Sequence, residues 1–459
     1  MCTLGLVSVG HAQQLGGGIS GGGLDRDRGL GGGISGGGLG GIPGTSFGGA
    51  TDPSMIPNTG GFHVIPSIAV AERYDSNVLF LAKSPGLDRS DYVTTVAPQI
   101  RGLYTGSAMT VNATVGANAE YFAKNTDLNY VGTNAALSLD LSPVLDRLWK
   151  GTTFTVVDWF RYTPQPPSFL VGNHEGDTSN PFQTGQLVGR VNSTSNTVSA
   201  TLSAPLTQTL SLTGGYQYGL LRFGSSQVKQ VGALLDSTYQ TFTVGMSMTL
   251  SPQDFMTLRF IDSEYRYEPN LGSFSSRGGL IGWTHAFSPA VTLAASAGAT
   301  VLEGQSLGSG AQGTQGQSSG LSTVTTTVAP TGNVALTWRD RTTSLTMAYG
   351  WGISPSYQFG AQPLLSNVVT FSMTQVTPIP ELVGVASVNY GRSDEIGSKS
   401  VNAISYTSYQ AIGGIMYIFT PQTFLNLNYQ YANHNNHFGA TNNSFDRHAV
   451  SLSIAQAFY

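Results

Sequence analysis

The chain is short of charge. Only 10% of its 459 residues are Asp, Glu, Lys or Arg, against roughly 25% in an average soluble domain. A water-soluble protein of this length needs more charge on its surface. The chain also lacks any run of the roughly 20 consecutive apolar residues that a spanning helix requires. Its longest candidate, Val291 to Leu302, is diluted by Thr, Ser and Gly. With a single cysteine, Cys2, a disulfide framework and a thiolate metal site are both excluded. The net charge of −4 leaves no basic footprint for nucleic acid. There is no C-x-x-C-H for covalent haem and no nucleophile elbow. The sequence therefore points to no catalytic residues, no metal site and no cofactor.

What the chain does have is 40% hydrophobic residues, 59 glycines and a period of two. In "TSLTMAYGWGI", 343 to 353, Leu345, Met347, Tyr349, Trp351 and Ile353 share one parity, and small residues fill the other. Such alternation marks a strand with one apolar face and one small or polar face. The same pattern runs through 109–121, 210–220, 242–250 and 425–431. Without a spanning helix, the other structure that satisfies its backbone in lipid is a closed β-barrel. A β-sandwich would alternate too, so the connections have to separate the two.

They fall into two kinds. Short connections such as "LSPVLDR" at 141, "LSPQDF" at 250, "VTPIPE" at 376 and "FTPQTF" at 419 carry a proline that ends the strand. Long polar connections cover 75–90, 164–186, 224–236, 305–320 and 433–443. Short turns at one end and long loops at the other describe an outer-membrane barrel, which a Greek-key sandwich does not resemble. The expected fold is all-β: a transmembrane antiparallel up-and-down barrel of about eighteen strands, within two either way, spanning 62–459. Both termini are then periplasmic. In 254–267 an apolar parity (Met256, Leu258, Phe260) turns charged (Asp262, Glu264, Arg266). Either a bulge near Ile261 swings the charges inward, or the strand leaves the membrane by Asp262. The span 152–163 alternates poorly and its register stays open.

Residues 1–12 read as the tail of a secretory signal, an apolar run from Leu4 to Val9 followed by Gly10-His11-Ala12, with no basic start. In 13–61 the decapeptide "LGGGISGGGL" occurs at 15 and again at 30. A stretch so rich in glycine cannot offset ordering entropy by burial, and it reads as a disordered, flexible periplasmic segment.

By parity, the candidate pore-lining residues are Arg101, Glu120, Asp140, Arg259, Asn426, Asn428, Gln430 and Arg447. Their mixed signs suit either a wet channel of weak ion selectivity or a partly bridged interior. The proline-bearing loop 164–186 is the candidate constriction. His434 and His437 in "NHNNH" have metal-like spacing but no further ligands nearby. The aromatic end, Phe458 and Tyr459, is the candidate signal for the barrel-assembly machinery. Two functions remain open: a porin-like channel for small solutes or exported polysaccharide, and a non-conducting barrel serving as adhesin, scaffold or sheath. Expected partners are outer-membrane lipid and lipopolysaccharide, the assembly machinery, and a polysaccharide or export complex.

One stretch resembles a known family. "HVIPSIAVAERYDSNVLF", with Tyr74 to Val78 closing the first strand, and Ser90 to Pro98 in "SDYVTTVAPQIRGLY" are similar to the start of the bacterial outer-membrane β-barrel porins of type 2. That family overlaps proteins encoded beside exopolysaccharide and exosortase systems. The resemblance implies a Gram-negative outer-membrane barrel and a part in polysaccharide export, and it brings no catalytic residues. From the residues alone, Asp75 and Asn77 read as turn formers leaving the first strand.

Overall fold

A computed structural model describes residues 61–83, 88–163, 192–224, 235–268, 272–306, 323–355, 363–379, 381–396, 404–438 and 441–458. The expected signal, nearly all of the Gly-rich segment, the candidate constriction at 164–186 and Tyr459 lie outside the described residues.

Eighteen strands follow one another. The first six are β1 (Gly61–Asp75), β2 (Asp91–Thr105), β3 (Thr110–Phe122), β4 (Tyr130–Asp140), β5 (Thr153–Thr163) and β6 (Ser193–Pro205). Next come β7 (Leu210–Phe223), β8 (Asp236–Thr249), β9 (Asp254–Glu268), β10 (Gly272–Ser288), β11 (Val291–Ser306) and β12 (Thr323–Arg339). The last six are β13 (Thr343–Pro355), β14 (Pro363–Val376), β15 (Leu382–Glu395), β16 (Ile404–Thr420), β17 (Thr423–Phe438) and β18 (Thr441–Ala457). Each pairs antiparallel with the next, and β18 pairs with β1 from Ala457↔Ser67 to Ala449↔Asp75. The sheet is a closed ring with no free edge, and every strand is long enough to cross a membrane with roughly 10 tilted residues.

The connections sort by end. Turns at 106–109, 206–209, 250–253, 289–290, 340–342 and 421–422 share one end with the chain start of β1, here the turn end. The long connections that follow β1, β5, β7 and β11 leave from the other, the loop end. Two connections differ from expectation. Residues 433–438 continue β17 and 441–443 open β18, so most of the long loop expected at 433–443 is strand. "SPVLDRL" forms a short helix, α1 (Ser142–Leu148), between β4 and β5, because Pro143 sits in its first turn, where no backbone donor is needed.

The two faces of the sheet are chemically distinct. Along β1 the even positions Phe62, Val64, Ile68 and Val70 are exposed, and the odd positions from Ile65 to Asp75 are buried. Exposed large apolar residues hold one parity of strand after strand, including Met347 and Tyr349 in β13 and Leu427 and Tyr429 in β17. Buried Ser, Thr and Asn hold the other. In a closed ring the exposed parity is the outside, so the oily residues face outward. Aromatic rings border this belt. Tyr74 and Tyr92 lie 5.3 Å apart near the loop end, and Tyr417 and Phe419 lie 4.8 Å apart near the turn end. An apolar belt between aromatic girdles is the lipid contact of a transmembrane barrel.

In β9 the register with β8 and β10 is unbroken from Phe255 to Tyr267. No bulge occurs at Ile261. Asp262, Glu264 and Arg266 stay on the outer parity with Leu258 and Phe260, and Ile261 and Tyr267 turn inward. Of the two alternatives, the strand that emerges from the membrane by Asp262 is the one formed. The ambiguous β5 also acquires a register: Phe160↔Ala135 and Asp158↔Leu137 put Phe160 and Asp158 outward, with Trp159 and Arg161 inward.

Candidate functional site: the lumen

Successive inward residues are mostly Ser, Thr and Gly, which keep the wall thin and wettable. On β6 they are Ser193, Ser195, Thr197, Ser199, Thr201 and Ser203, and on β8 Thr241, Thr243, Ser247 and Thr249. Across β5 to β14 the inward parity of the described residues holds no Asp or Glu and three arginines: Arg161, Arg259 and Arg339. Arg259 stands inward midway along β9, opposite Leu280 of β10 and Gly245 of β8. Arg101, inward on β2, donates through Nε to Asn112 Oδ1 at 2.9 Å. This wall has one sign of charge.

The inward carboxylates lie elsewhere: Asp75, Asp91, Glu120 and Asp140 on β1 to β4, and Glu395 at the loop end of β15. Asp140 sits at the turn end, where its side chain accepts from the Ser142 backbone N at 2.9 Å and from the Ser142 hydroxyl. Asp75 and Glu120 sit near the loop end in a sealed cluster with Arg73 and Arg447. Arg447 Nη2 donates to Asp75 Oδ2 at 2.6 Å and its Nε reaches both carboxylate oxygens at 3.0 Å. Arg73 lies 3.5 Å from Glu120 and 3.6 Å from Asp75. Asp75 and Arg447 are 1% exposed and Glu120 is 0%. Two cations and two anions cancel, which is the condition for burying charge at all.

The seal is the connection after β1. Instead of arching into water, its first residues turn into the barrel. Asn77 donates to the carbonyls of Leu81 (2.9 Å) and Asp446 (3.2 Å), and its own N–H reaches Asp75 Oδ1 at 3.0 Å. Val78 packs with Val93 of β2 and Phe122 of β3. Phe80 packs among Leu364, Tyr406, Ala432 and Phe445 on β14 and β16 to β18, with the Arg447 guanidinium 5.1 Å from its ring centre. Phe80 holds φ at 55°, the left-handed region that non-glycine residues rarely occupy. Strain of this kind costs about 1–3 kcal/mol and persists only where surroundings enforce it. On the facing side Leu221, Tyr239, Tyr267, Phe274 and Leu302 form a second inward cluster. Outside the strands, Lys124 Nζ meets Asp88 Oδ2 at 3.1 Å, and that hydrogen bond, with one from the Ser90 N–H, holds the Asp88 carboxyl below its ordinary pKa.

All eight candidate residues thus fall on the inner parity, in different surroundings. Arg101, Asp140 and Arg259 are partly exposed. Asn426, Asn428 and Gln430 form a buried amide stripe on β17, and Glu120 and Arg447 are locked in the ionic cluster. The inward segment 76–83 was missed because Asp75 and Asn77 look like ordinary turn residues. The signal was the apolar run Val78 to Leu81 directly after them. His434 and His437 project to opposite faces of β17, and no cluster of three metal-ligating side chains occurs among the described residues. Phe458 is exposed on the outside at the turn end.

The fold and its faces define a closed, membrane-spanning, eighteen-stranded β-barrel. No family model matches the chain, and no curated protein matches it. Among solved structures it is similar to Pseudomonas aeruginosa OpdQ, at 10% identity over 87% of this chain and 98% of that one, with a TM-score of 0.40. It is also similar to P. aeruginosa OccK2 (OpdF) in complex with glucuronate, at 11% identity over 87% and 100% with a TM-score of 0.44. Acinetobacter baumannii OccAB4 gives 10% over 88% and 100%, with a TM-score of 0.40. Likeness at this level assigns no solute and no residue roles.

Proposed function

We propose that the protein is a porin-like channel of the Gram-negative outer membrane that favours small anionic solutes. The observation that carries this reading is the wall of β5 to β14, which presents arginines and no carboxylate among its described inward residues. Fixed charge of one sign in a narrow aqueous path, walled by low-dielectric material, concentrates counter-ions. Arg101, Arg161 and Arg259 are the pore-lining residues that attract the anion, and the segment 76–83 with Phe80 narrows the passage at the loop end. In this reading the loop end faces the outside, both termini are periplasmic, and Phe458 with Tyr459 signals to the assembly machinery.

The test is the reversal potential of the purified protein in planar bilayers under a potassium chloride gradient. An anion-selective open channel, with selectivity reduced by Arg259→Gln, is the expected result. A cation-selective channel refutes the anion preference, and a silent barrel refutes the channel.

A second reading has its own observation. The amides of Asn426, Asn428, Gln430 and Gln410, each less than a tenth exposed, make an inward track on β16 and β17 that would meet the hydroxyls of an exported polysaccharide once its covering side chains turn aside. Block of chloride current by neutral oligosaccharides separates this from the anion channel.

A further inference from the structure

One outward residue does not belong in lipid. Asp158 lies midway along β5 on the oily face, with Phe154 and Val156 on the turn side and Phe160 and Tyr162 on the loop side. Its partners across the sheet are Leu137 on β4 and Val198 on β6, both exposed and apolar. Glu72, the nearest comparison, stands one outward position from Tyr74 at the rim and accepts a hydrogen bond from Thr94 at 2.6 Å. Asp158 is deeper. Its neighbour on the same face is Asn196 of β6, whose Nδ2 donates to Asp158 Oδ1 at 2.7 Å and lies 3.3 Å from the Trp159 carbonyl. A carboxylate at the centre of the bilayer is unfavourable, and such residues normally face a partner rather than acyl chains.

A second observation falls on the same wall. The turn beneath β4 and β5 is α1, at whose end Leu148 (82% exposed), Trp149 and Val144 stand bare among the charged Asp146, Arg147 and Lys150. Large apolar side chains are thus bare beyond the turn end of these strands as well. Around Asp158 the outward residues include Ala117, Thr133, Ala135 and Ala200, which are small enough for two walls to approach closely.

We infer that the outer wall of β4 to β6, with α1 below it, is the contact between two copies of this chain. The polar pair is self-complementary. Asp158 offers carboxylate oxygens and Asn196 offers an amide donor and a carbonyl. A two-fold axis along the membrane normal brings both pairs face to face in a four-membered polar cluster, flanked by Leu137 and Val198 with the alanines beyond them, and hidden from lipid. The same axis sets Leu148 and Trp149 of each copy against their counterparts. A two-fold contact needs one patch that matches itself, and this wall supplies both the polar centre and the apolar flank.

The test uses the full chain in lipid nanodiscs, with Cys2→Ser to remove the native thiol. Native mass should correspond to two chains. Ala135→Cys and Leu148→Cys, treated with a short bis-maleimide, should give linked dimers, and Leu427→Cys, in the belt of β17, should not. Asp158→Leu should leave a barrel that still changes gel mobility on heating but has the mass of one chain. If Asp158 instead faces lipid, Asp158→Leu leaves the mass unchanged and raises heat resistance, which overturns the inference. A single-chain mass for the parent protein overturns it, as does a trimer whose Ala135→Cys form links no better than Leu427→Cys.

Discussion

Arg447 and Asp75 stand 372 residues apart in sequence and are joined at 2.6 Å across the seam where the last strand meets the first. Both are sealed from water, and Asp75 also takes the Asn77 N–H, so one carboxylate fixes the seam and the start of the inward segment. Removing one partner leaves the other charge buried and uncompensated, at a cost of about 3–5 kcal/mol. Asp75→Asn should therefore unfold at clearly lower urea concentration than the parent in detergent. The double exchange Asp75→Leu with Arg447→Met should lose less than either single exchange. Equal stability of Asp75→Asn and parent would remove the seam role.

Phe80 is the wedge of the loop-end closure. Phe80→Ala removes the ring that fills the space between Leu364, Tyr406 and Phe445, and should raise the unit conductance in planar bilayers. Cavity formation should also cost about 3–5 kcal/mol of stability. A variant that loses stability with unchanged conductance places the narrowest point elsewhere.

Gly298 on β11 marks a place where the barrel has no room. A Cβ there would lie 1.9 Å from the Gly279 carbonyl oxygen, which is backbone and cannot rotate aside. Overpacking costs about 1–3 kcal/mol even where neighbours can move. Gly298→Ala should sharply lower the yield of folded barrel, read as the heat-modifiable band on a gel. Gly413, whose Cβ would meet nothing within 4 Å, should accept alanine without loss.

Phe458 is exposed on the outer face beyond β18, with its backbone N–H donating to the Pro66 carbonyl at 2.9 Å. Phe458→Ala combined with deletion of Tyr459 should reduce assembly in living cells and leave refolding into detergent unchanged. Loss in both settings would make the aromatic end structural rather than a signal.

Strand number, order and faces were readable from the residues because period-two patterning is local. The parity of Leu345, Met347 and Tyr349 needs no knowledge of neighbours to name the apolar side. Where the pattern was mixed, only non-local pairing settled it. In β9 the run Phe260, Ile261, Asp262 permits a bulge or a straight strand, and the continuous ladders with β8 and β10 select the straight one. In β5 the adjacent Val156, Val157, Asp158 and Trp159 carry no clear alternation, and pairing with β4 and β6 turns Asp158 outward. The inward course of 76–83 was not readable, because the pocket for Phe80 is assembled from strands nearly three hundred residues downstream or more. The candidate lumen residues share the inner parity, but sequence could not distinguish Arg259, on the partly exposed wall, from Arg447, buried against Asp75.

The same separation sets an order of events. The socket for Phe80 is built by β14, β16, β17 and β18, so the segment that follows the first strand has nowhere to dock until the final strands are in place. A nascent barrel is therefore unstoppered throughout its construction. Its entrance narrows in the same step that joins Arg447 to Asp75, so the arrival of the last strand both completes the ring and sets the width of its mouth.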